Sequence, residues 1–494
     1  MKNLLTMICA LAAMCCVVQG QNITITKGAS GKSFDKESVL NGWYLGVHGK
    51  GDCWLTRTED GPKSFVRSDD WQLVELDRNL NVYGRLELPM SRNCKVLVAR
   101  KLDHYAGVIM VDSSEAKKLT LVKFEVDLDS MTLVNGKVDT LAQYDKEPTD
   151  KSYVWGAASE NGEYMGVLTL LQMTKKRQYV AVASMYDTEM EELWSKEFAV
   201  GTTSSIAVSN EGEMVTLGYE EDAGVENFTI NVIGRKSGDT YGLKMNCDRV
   251  KDMQIVNVLG RKVLCAGLFS PLTSDPKDNL VGGAMSMAFD LDSASVTNFV
   301  VRPFMNEDMN ILLNKKTKKV QHSQEAQMVV PLAYVPMPYG AVVAMGHRHT
   351  LHYVNANGTT ETSYYAQGIH LVALDENGNV KWARNIRRND MQKHTDEKLY
   401  VAMFPVGDTL CVVKSEHPKY PATYDISKDV KELEMGDKNN LVLYALNEEG
   451  NVKKTVLEQK TKHAVVSAAK RGNNEMVMLT LDGNKSRMVE MRIE

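Results

Sequence analysis

Apolar residues along this chain recur at every second position in short runs, and seldom at the three-and-four spacing of an amphipathic helix. The pattern therefore predicts β-strands throughout. One phrase returns: an alternating strand, a turn bearing Asp, Asn or Gly, then a second strand. It spans Trp71–Leu88, Leu121–Val138, Val180–Phe198, Phe228–Met245, Ala284–Val301, Ile369–Ile386 and Leu441–Leu457. Asp and Asn suit such turns because their side chains bond the backbone ahead, and Gly takes positive φ without strain. A more hydrophobic hairpin precedes the phrase, as at Val154–Leu171, Ser204–Glu220, Met253–Phe269, Tyr339–Val354 and Val401–Lys414. Each pair of hairpins makes four antiparallel strands.

The turn positions Asp77, Asp127, Asp187, Arg235, Asp290, Asp375 and Asn447 lie 48 to 85 residues apart. The shorter intervals match a four-stranded propeller blade. His463–Glu494 offers three strands, one short of a blade, while Asn22–Lys27 offers a fourth. A ring must hide its edge strands, so the early strand is expected to complete the last blade. The expected fold is all-β, a β-propeller of seven or eight four-stranded blades, occupying residues 21–494 as a single domain. Seven is the count if the weak unit Phe228–Met245 merges with a neighbour. Tandem β-sandwiches are the alternative; they need a linker, and no Pro/Ser-rich stretch supplies one. Two polar insertions, 303–327 and 414–440, interrupt the pattern and are read as surfaces, the first with a short helix.

Composition sharpens this only slightly. The chain has 494 residues, 43% hydrophobic and 24% charged, with a formal net charge of −5. That excludes a disordered chain and gives no basic patch for nucleic acid. Residues 1–20 place one Lys before an apolar run from Leu4 to Val18, the layout of a secretory signal peptide cleaved before Gln21. The expected location is periplasmic or secreted; the alternative is an envelope protein lipid-anchored through Cys15 or Cys16. No later run of about 18 apolar residues offers a transmembrane segment. Cys53, Cys94, Cys247, Cys265 and Cys411 form no CxxC pair, hence neither a disulfide framework nor a zinc site.

The block SYYAQGIHLVALDENGNVKWARNI, Ser363–Ile386, resembles a recurrent unit of uncharacterised exported proteins of Bacteroidetes-type bacteria. That resemblance implies a propeller-like fold and no established catalytic role. Ala373–Trp382 is also similar to the quinoprotein-type propeller repeat, in which the Trp packs between blades; Tyr186–Trp194 is a degenerate second copy. Asp-Ser/Thr-apolar triplets beginning at Asp129, Asp139, Asp292 and Asp408 resemble the O-glycosylation signal of the same bacteria.

Candidate chemistry is sparse. In GHRHTLH, strand alternation puts His347 and His349 on one face, close enough to share a metal, with His352 on the other. No third ligand is identifiable, so no metal site is assigned. Asp375–Asn379 spaces oxygen-bearing residues as calcium loops do, but a two-strand turn explains it fully. Trp43, Tyr44, Trp54, Trp71, Tyr364 and Tyr365 could line a carbohydrate or peptide face, although blade packing explains the Trp residues better. The binding candidates are thus His347, His349, Tyr364 and Tyr365; no catalytic residue is named and no cofactor is expected. The expected function is a non-catalytic binding scaffold of the cell envelope with a protein or glycan partner. The alternative is a propeller enzyme, either a quinone- or metal-dependent oxidoreductase or a carbohydrate-active one.

Overall fold

The computed structural model describes residues 23–28, 43–49, 51–57, 71–90, 93–101, 104–115, 117–145, 153–173, 179–222, 225–234, 238–246, 250–270, 280–313, 329–354, 357–394, 396–428, 430–482 and 485–493. The leader reading of residues 1–20 lies outside them. Among the described residues the strands form eight sheets, built from successive stretches of chain except that Ile23–Lys27 joins the last sheet and Leu433–Glu434 the sixth. Six are plain four-stranded antiparallel sheets and two carry a fifth short strand.

What makes these sheets a propeller is how they pack. A strand's side chains alternate between faces, so a central strand can feed two interfaces at once. Val263 and Cys265 pack toward the fourth sheet, while Leu264, Ala266 and Leu268 pack toward the sixth. Eight hydrophobic clusters result, each spanning two consecutive sheets. The last of them joins Trp54, Val74 and Leu76 of the first sheet to Val477, Leu479 and Met488 of the eighth. The circle is therefore closed, which tandem sandwiches do not do.

Closure has a covalently distant partner. Ile23–Lys27 pairs antiparallel with Lys485–Ile493, in register from Ile23 opposite Ile493 to Lys27 opposite Val489. Ile23 and Ile25 pack on the cluster between the seventh and eighth sheets. A polar clasp crosses the seam between the first and eighth sheets. Arg471 Nε stands 3.1 Å from Asp52 Oδ1 and its Nη1 3.2 Å from Glu490 Oε1, while Tyr44 donates to Asp52 at 2.8 Å. Burial pushes the Asp52 carboxyl up, against the pull of Tyr44 and Arg471.

The recurrent turn works as its chemistry requires. Asp375 Oδ1 accepts the N–H groups of Asn377 and Asn379, each at 2.8 Å. Asp77 and Asp187 do the same for the residues two and four places on. The position three residues after the Asp is left-handed: Leu80, Met190 and Gly378 have φ of 62°, 57° and 78°. Neighbouring sheets grip these turns. Trp382 donates its indole N–H to the Glu448 carbonyl of the seventh sheet's turn at 3.0 Å, and Trp194 donates to Gly212 O of the fourth sheet at 3.3 Å.

Two sequence readings of these phrases need correction, and the alternative of a merged unit is not met. Phe228–Met245 does not merge with a neighbour; it supplies the outer half of a complete fourth sheet, with strands Val225–Ile233 and Gly238–Asn246. In Leu121–Val138 the second strand is only Thr132–Leu133, because Asn135 and Gly136 turn left-handed at φ 58° and 66°. The outer strand of that sheet is Asp139–Asp145 instead. Tyr339–Val354 is not a hairpin: Gly340–Val354 is one 15-residue strand whose partner on that side is Val329–Met337.

The described parts of the insertions are not simple surfaces. Helix Asn306–Leu312 buries Asp308, Met309, Ile311 and Leu312. Asp308 accepts from Asn385 at 2.9 Å and stands 3.5 Å from His370 Nδ1, so the helix is pinned to the sixth sheet. In the second insertion, Lys414 and Glu416 extend the buried strand Thr409–Glu416. Leu433–Glu434 then pairs in parallel with Asp390–Met391 of the sixth sheet, strapping two blades together.

Candidate functional site

From the first sheet to the eighth, and leaving the closing strand aside, the first strand of each sheet contacts the first strand of the next. In a propeller such innermost strands run the same way along the axis, so the turns that follow them gather at one mouth. Strand ends and turns of the third through eighth sheets line a cavity of ≈ 680 Å³. Its floor comes from Ile206, Ile255, Val256, Pro336 and Pro405. Prolines are tolerated here because an innermost strand pairs on one side only, and a missing N–H blunts the open side.

Turn residues supply the polar rim. Ser159-Glu160-Asn161-Gly162 and Ser209-Asn210-Glu211-Gly212 close in the same way, with the glycine N–H donating back to the serine carbonyl at 3.0 and 3.1 Å. Both glycines sit at positive φ, 71° and 77°, which a side chain would strain. Asn210 Oδ1 accepts the Asn161 N–H at 3.0 Å, linking the two turns. Asn257 is fully engaged: its amide donates to Met337 O and Gly340 O at 3.0 and 2.8 Å and accepts from Val258 N. It ties the fifth sheet to the sixth just where the cavity opens. Lys470, Asn473 and Asn474 of the eighth sheet face Glu160 and Asn210 across the opening. The rim therefore presents several amides, one cation and one anion.

The sequence candidates stand elsewhere. Met337 pairs with Gly340 beside the cavity, whereas Val329 pairs with His347 at the other end of the same hairpin. Seven residues of strand put His347 about 24 Å from the cavity end. His347 and His349 do share a face, with ring centroids 5.3 Å apart. His349 stacks on its cross-strand partner Tyr365 at 4.6 Å, nearly parallel. Burial lowers the His349 imidazole, and burial with Tyr353 and nearby carboxylates pushes Tyr365 up to about 12. Tyr364 pairs with Thr350 and Gln392, which by alternation puts it on the opposite face. The strands carry this hairpin past the sheet to Tyr353 and Val354, both exposed. These residues make an overhang rather than a lining of the axial cavity.

Among the described residues no group of three or more His, Cys, Asp or Glu side chains is placed to hold a metal ion. The Asp375 carboxylate is committed to its own turn, as above. Trp54 and Trp71 are core residues, while Trp43 is exposed. Of the Asp-Ser/Thr triplets, Ser130 and Ser293 lie exposed on outer turns and Thr409 is buried. Reasoning from sequence missed the amides of the rim. The usable signal was the repetition of Ser-x-x-Gly after two innermost strands, at 159–162 and 209–212.

No protein-family model matches this chain, and no curated protein matches it either. Among solved structures it is similar to the WD40 domain of SCAP from fission yeast, at 9% identity and a TM-score of 0.39, covering 96% of this chain and 98% of that one. It is also similar to the polysaccharide lyase Uly1, at 9% identity and a TM-score of 0.33, over 91% and 98% of the two chains. The Dos1 propeller gives 10% identity and a TM-score of 0.33, over 76% and 88%. Likenesses this distant speak to no activity.

Proposed function

We propose that this chain is an exported, non-catalytic recognition module of the cell envelope whose ligand seat is the axial cavity. One observation carries the reading: strand ends and turns of six sheets, scattered over more than 300 residues of sequence, bring asparagine amides and an apolar floor to a single opening. A volume of ≈ 680 Å³ lies within the range of about 300–1,000 Å³ usual for ligand pockets. The closed ring holds the rim rigid, so little ordering cost is incurred on binding. Export is supported by the Lys2-plus-apolar layout of residues 1–20.

The test has two arms. Cell fractionation with N-terminal sequencing should find the protein outside the cytoplasm, beginning at Gln21. The purified chain is then screened on printed oligosaccharides and peptides, beside the double variant Asn210→Ala/Asn474→Ala. The reading expects bound probes to be recovered chemically unchanged and their affinity to fall at least about tenfold in the variant. Conversion of a bound probe, or binding indifferent to the variant, contradicts it.

A further inference from the structure

We infer that the axial cavity takes an extended, uncharged peptide segment of a partner protein; this rests on the cavity being the ligand seat. The argument starts from the chemistry of the rim. An asparagine amide offers a donor N–H and an acceptor C=O side by side, as a peptide unit does. Asn210, Asn473 and Asn474 stand around the mouth, so side-chain amides of three residues are there to meet a peptide backbone. Asn210 Oδ1 already accepts one backbone N–H, that of Asn161; the rim thus uses this pairing within the protein itself.

The floor points the same way. Ile206, Ile255, Val256 and the prolines give shallow aliphatic contact suited to small apolar side chains. Sugars favour aromatic platforms, because the C–H faces of a pyranose stack against the negative face of a ring. No aromatic ring is among the described residues lining the cavity. Charge narrows the class further: the rim's ionic groups are Glu160 and Lys470, which balance. A strongly acidic or basic segment gains nothing net there, and a neutral one is not penalised. The size suits a handful of residues, the length of a loop or a chain terminus.

A phage-displayed library of random linear peptides is selected on the mature full-length chain, and hits are remeasured as synthetic peptides. Neutral and anionic oligosaccharides are measured in parallel. Binding is compared among the unaltered chain, Ile206→Trp, which fills the floor, Asn210→Ala on the rim, and Tyr365→Ala on the distant overhang. Thermal melting checks that each variant folds, and the rim variant keeps the test alive if the filled floor does not. The expected result is uncharged peptide hits that weaken at least about tenfold in Ile206→Trp and Asn210→Ala, but not in Tyr365→Ala. Because the rim charges balance, their affinity should change little between low and high salt. Oligosaccharides bound at the cavity, with peptides rejected, would overturn the peptide inference and leave the ligand seat standing. Hits indifferent to both cavity variants, or no hits of either class, overturn both.

Discussion

The ammonium of Lys27 stands 3.2 Å from the carboxylate of Glu458, so the strand that closes the ring is also tied to the outer strand of the seventh sheet. Arg487 of the eighth sheet completes the group, its Nη2 2.6 Å from Glu458. Burial by itself raises the Glu458 carboxyl, but Arg487 and Lys27 outweigh it and hold it below the ordinary range. A carboxylate depressed in the folded state binds fewer protons there than when unfolded. Its stabilisation is full above about pH 4.3, the unfolded value, and is lost as pH falls through the folded one. Glu458→Gln should therefore unfold less steeply with acid than the unaltered chain, in melts run from pH 6 to about pH 3. Parallel acid dependence in the two proteins would sink this assignment.

The Trp382–Glu448 contact sets a second expectation. Trp382→Phe keeps most of the buried surface and removes one N–H donor, a loss of about 1 kcal/mol. Gly450 is more demanding: it has φ of 77°, and a Cβ there would lie 2.6 Å from Trp382 Cγ. Gly450→Ala should cost about 1–3 kcal/mol from backbone strain and displacement of the indole. Denaturant unfolding of both variants separates the hydrogen bond from the packing; an unchanged midpoint for Gly450→Ala contradicts the seam as described.

Beneath the second insertion lies a buried group of unusual charge. Glu416 lies between the ammonium groups of Lys414, 3.1 Å away, and Lys454, 2.5 Å away. Tyr444 donates its phenol to the same carboxylate, and Lys454 sits 4.2 Å over the Tyr420 ring. Burial lowers the Lys454 amine despite Glu416. Glu416→Gln removes the one carboxylate between two buried cations and should destabilise by about 3–5 kcal/mol. Lys414→Met should cost much less, because it leaves Glu416 paired with Lys454 and no unpaired buried charge. Equal effects from the two substitutions would show that packing, not charge, governs the site.

Much of this architecture is legible in sequence because it is local. Alternation every second residue marks the strands, and Asp375 or Asp187 marks a turn because its carboxylate bonds the next few N–H groups. Even the early strand is legible, since the last sheet is one strand short without it. The failures are also physical. Tyr339–Val354 resembles a hairpin because Gly346 and the polar His347–His349 look like a turn, yet the strand runs straight through them. Helix Asn306–Leu312 has polar neighbours in sequence and a hydrophobic seat in space, which no local pattern reveals. The cavity rim is hidden most completely: Asn210 and Asn474 look like ordinary turn formers, and only the closed ring brings them to one opening.

The thiols give a direct reading of burial. Cys53, Cys265 and Cys411 are free and fully buried, and desolvation pushes each up to about 12. The thiolate is the reactive form, so all three should resist alkylation in the native protein at pH 8 and react on unfolding. Mass spectrometry after a timed alkylation checks this; rapid native labelling of any of them would contradict the packing at that sheet.

The closed ring underlies every later step, and a cross-link tests it most directly. Thr24 and Arg492 are register partners across the closing strand pair, and both are exposed. Opposed residues of an antiparallel pair bring their Cβ atoms to about 4.5–5.5 Å, near enough for a disulfide after slight adjustment. In Thr24→Cys/Arg492→Cys, mild oxidation of the native protein should give an intramolecular bond identified by peptide mapping, with a raised melting temperature. A pair that stays reduced under those conditions, or joins only between molecules, would mean that the early strand does not close the ring.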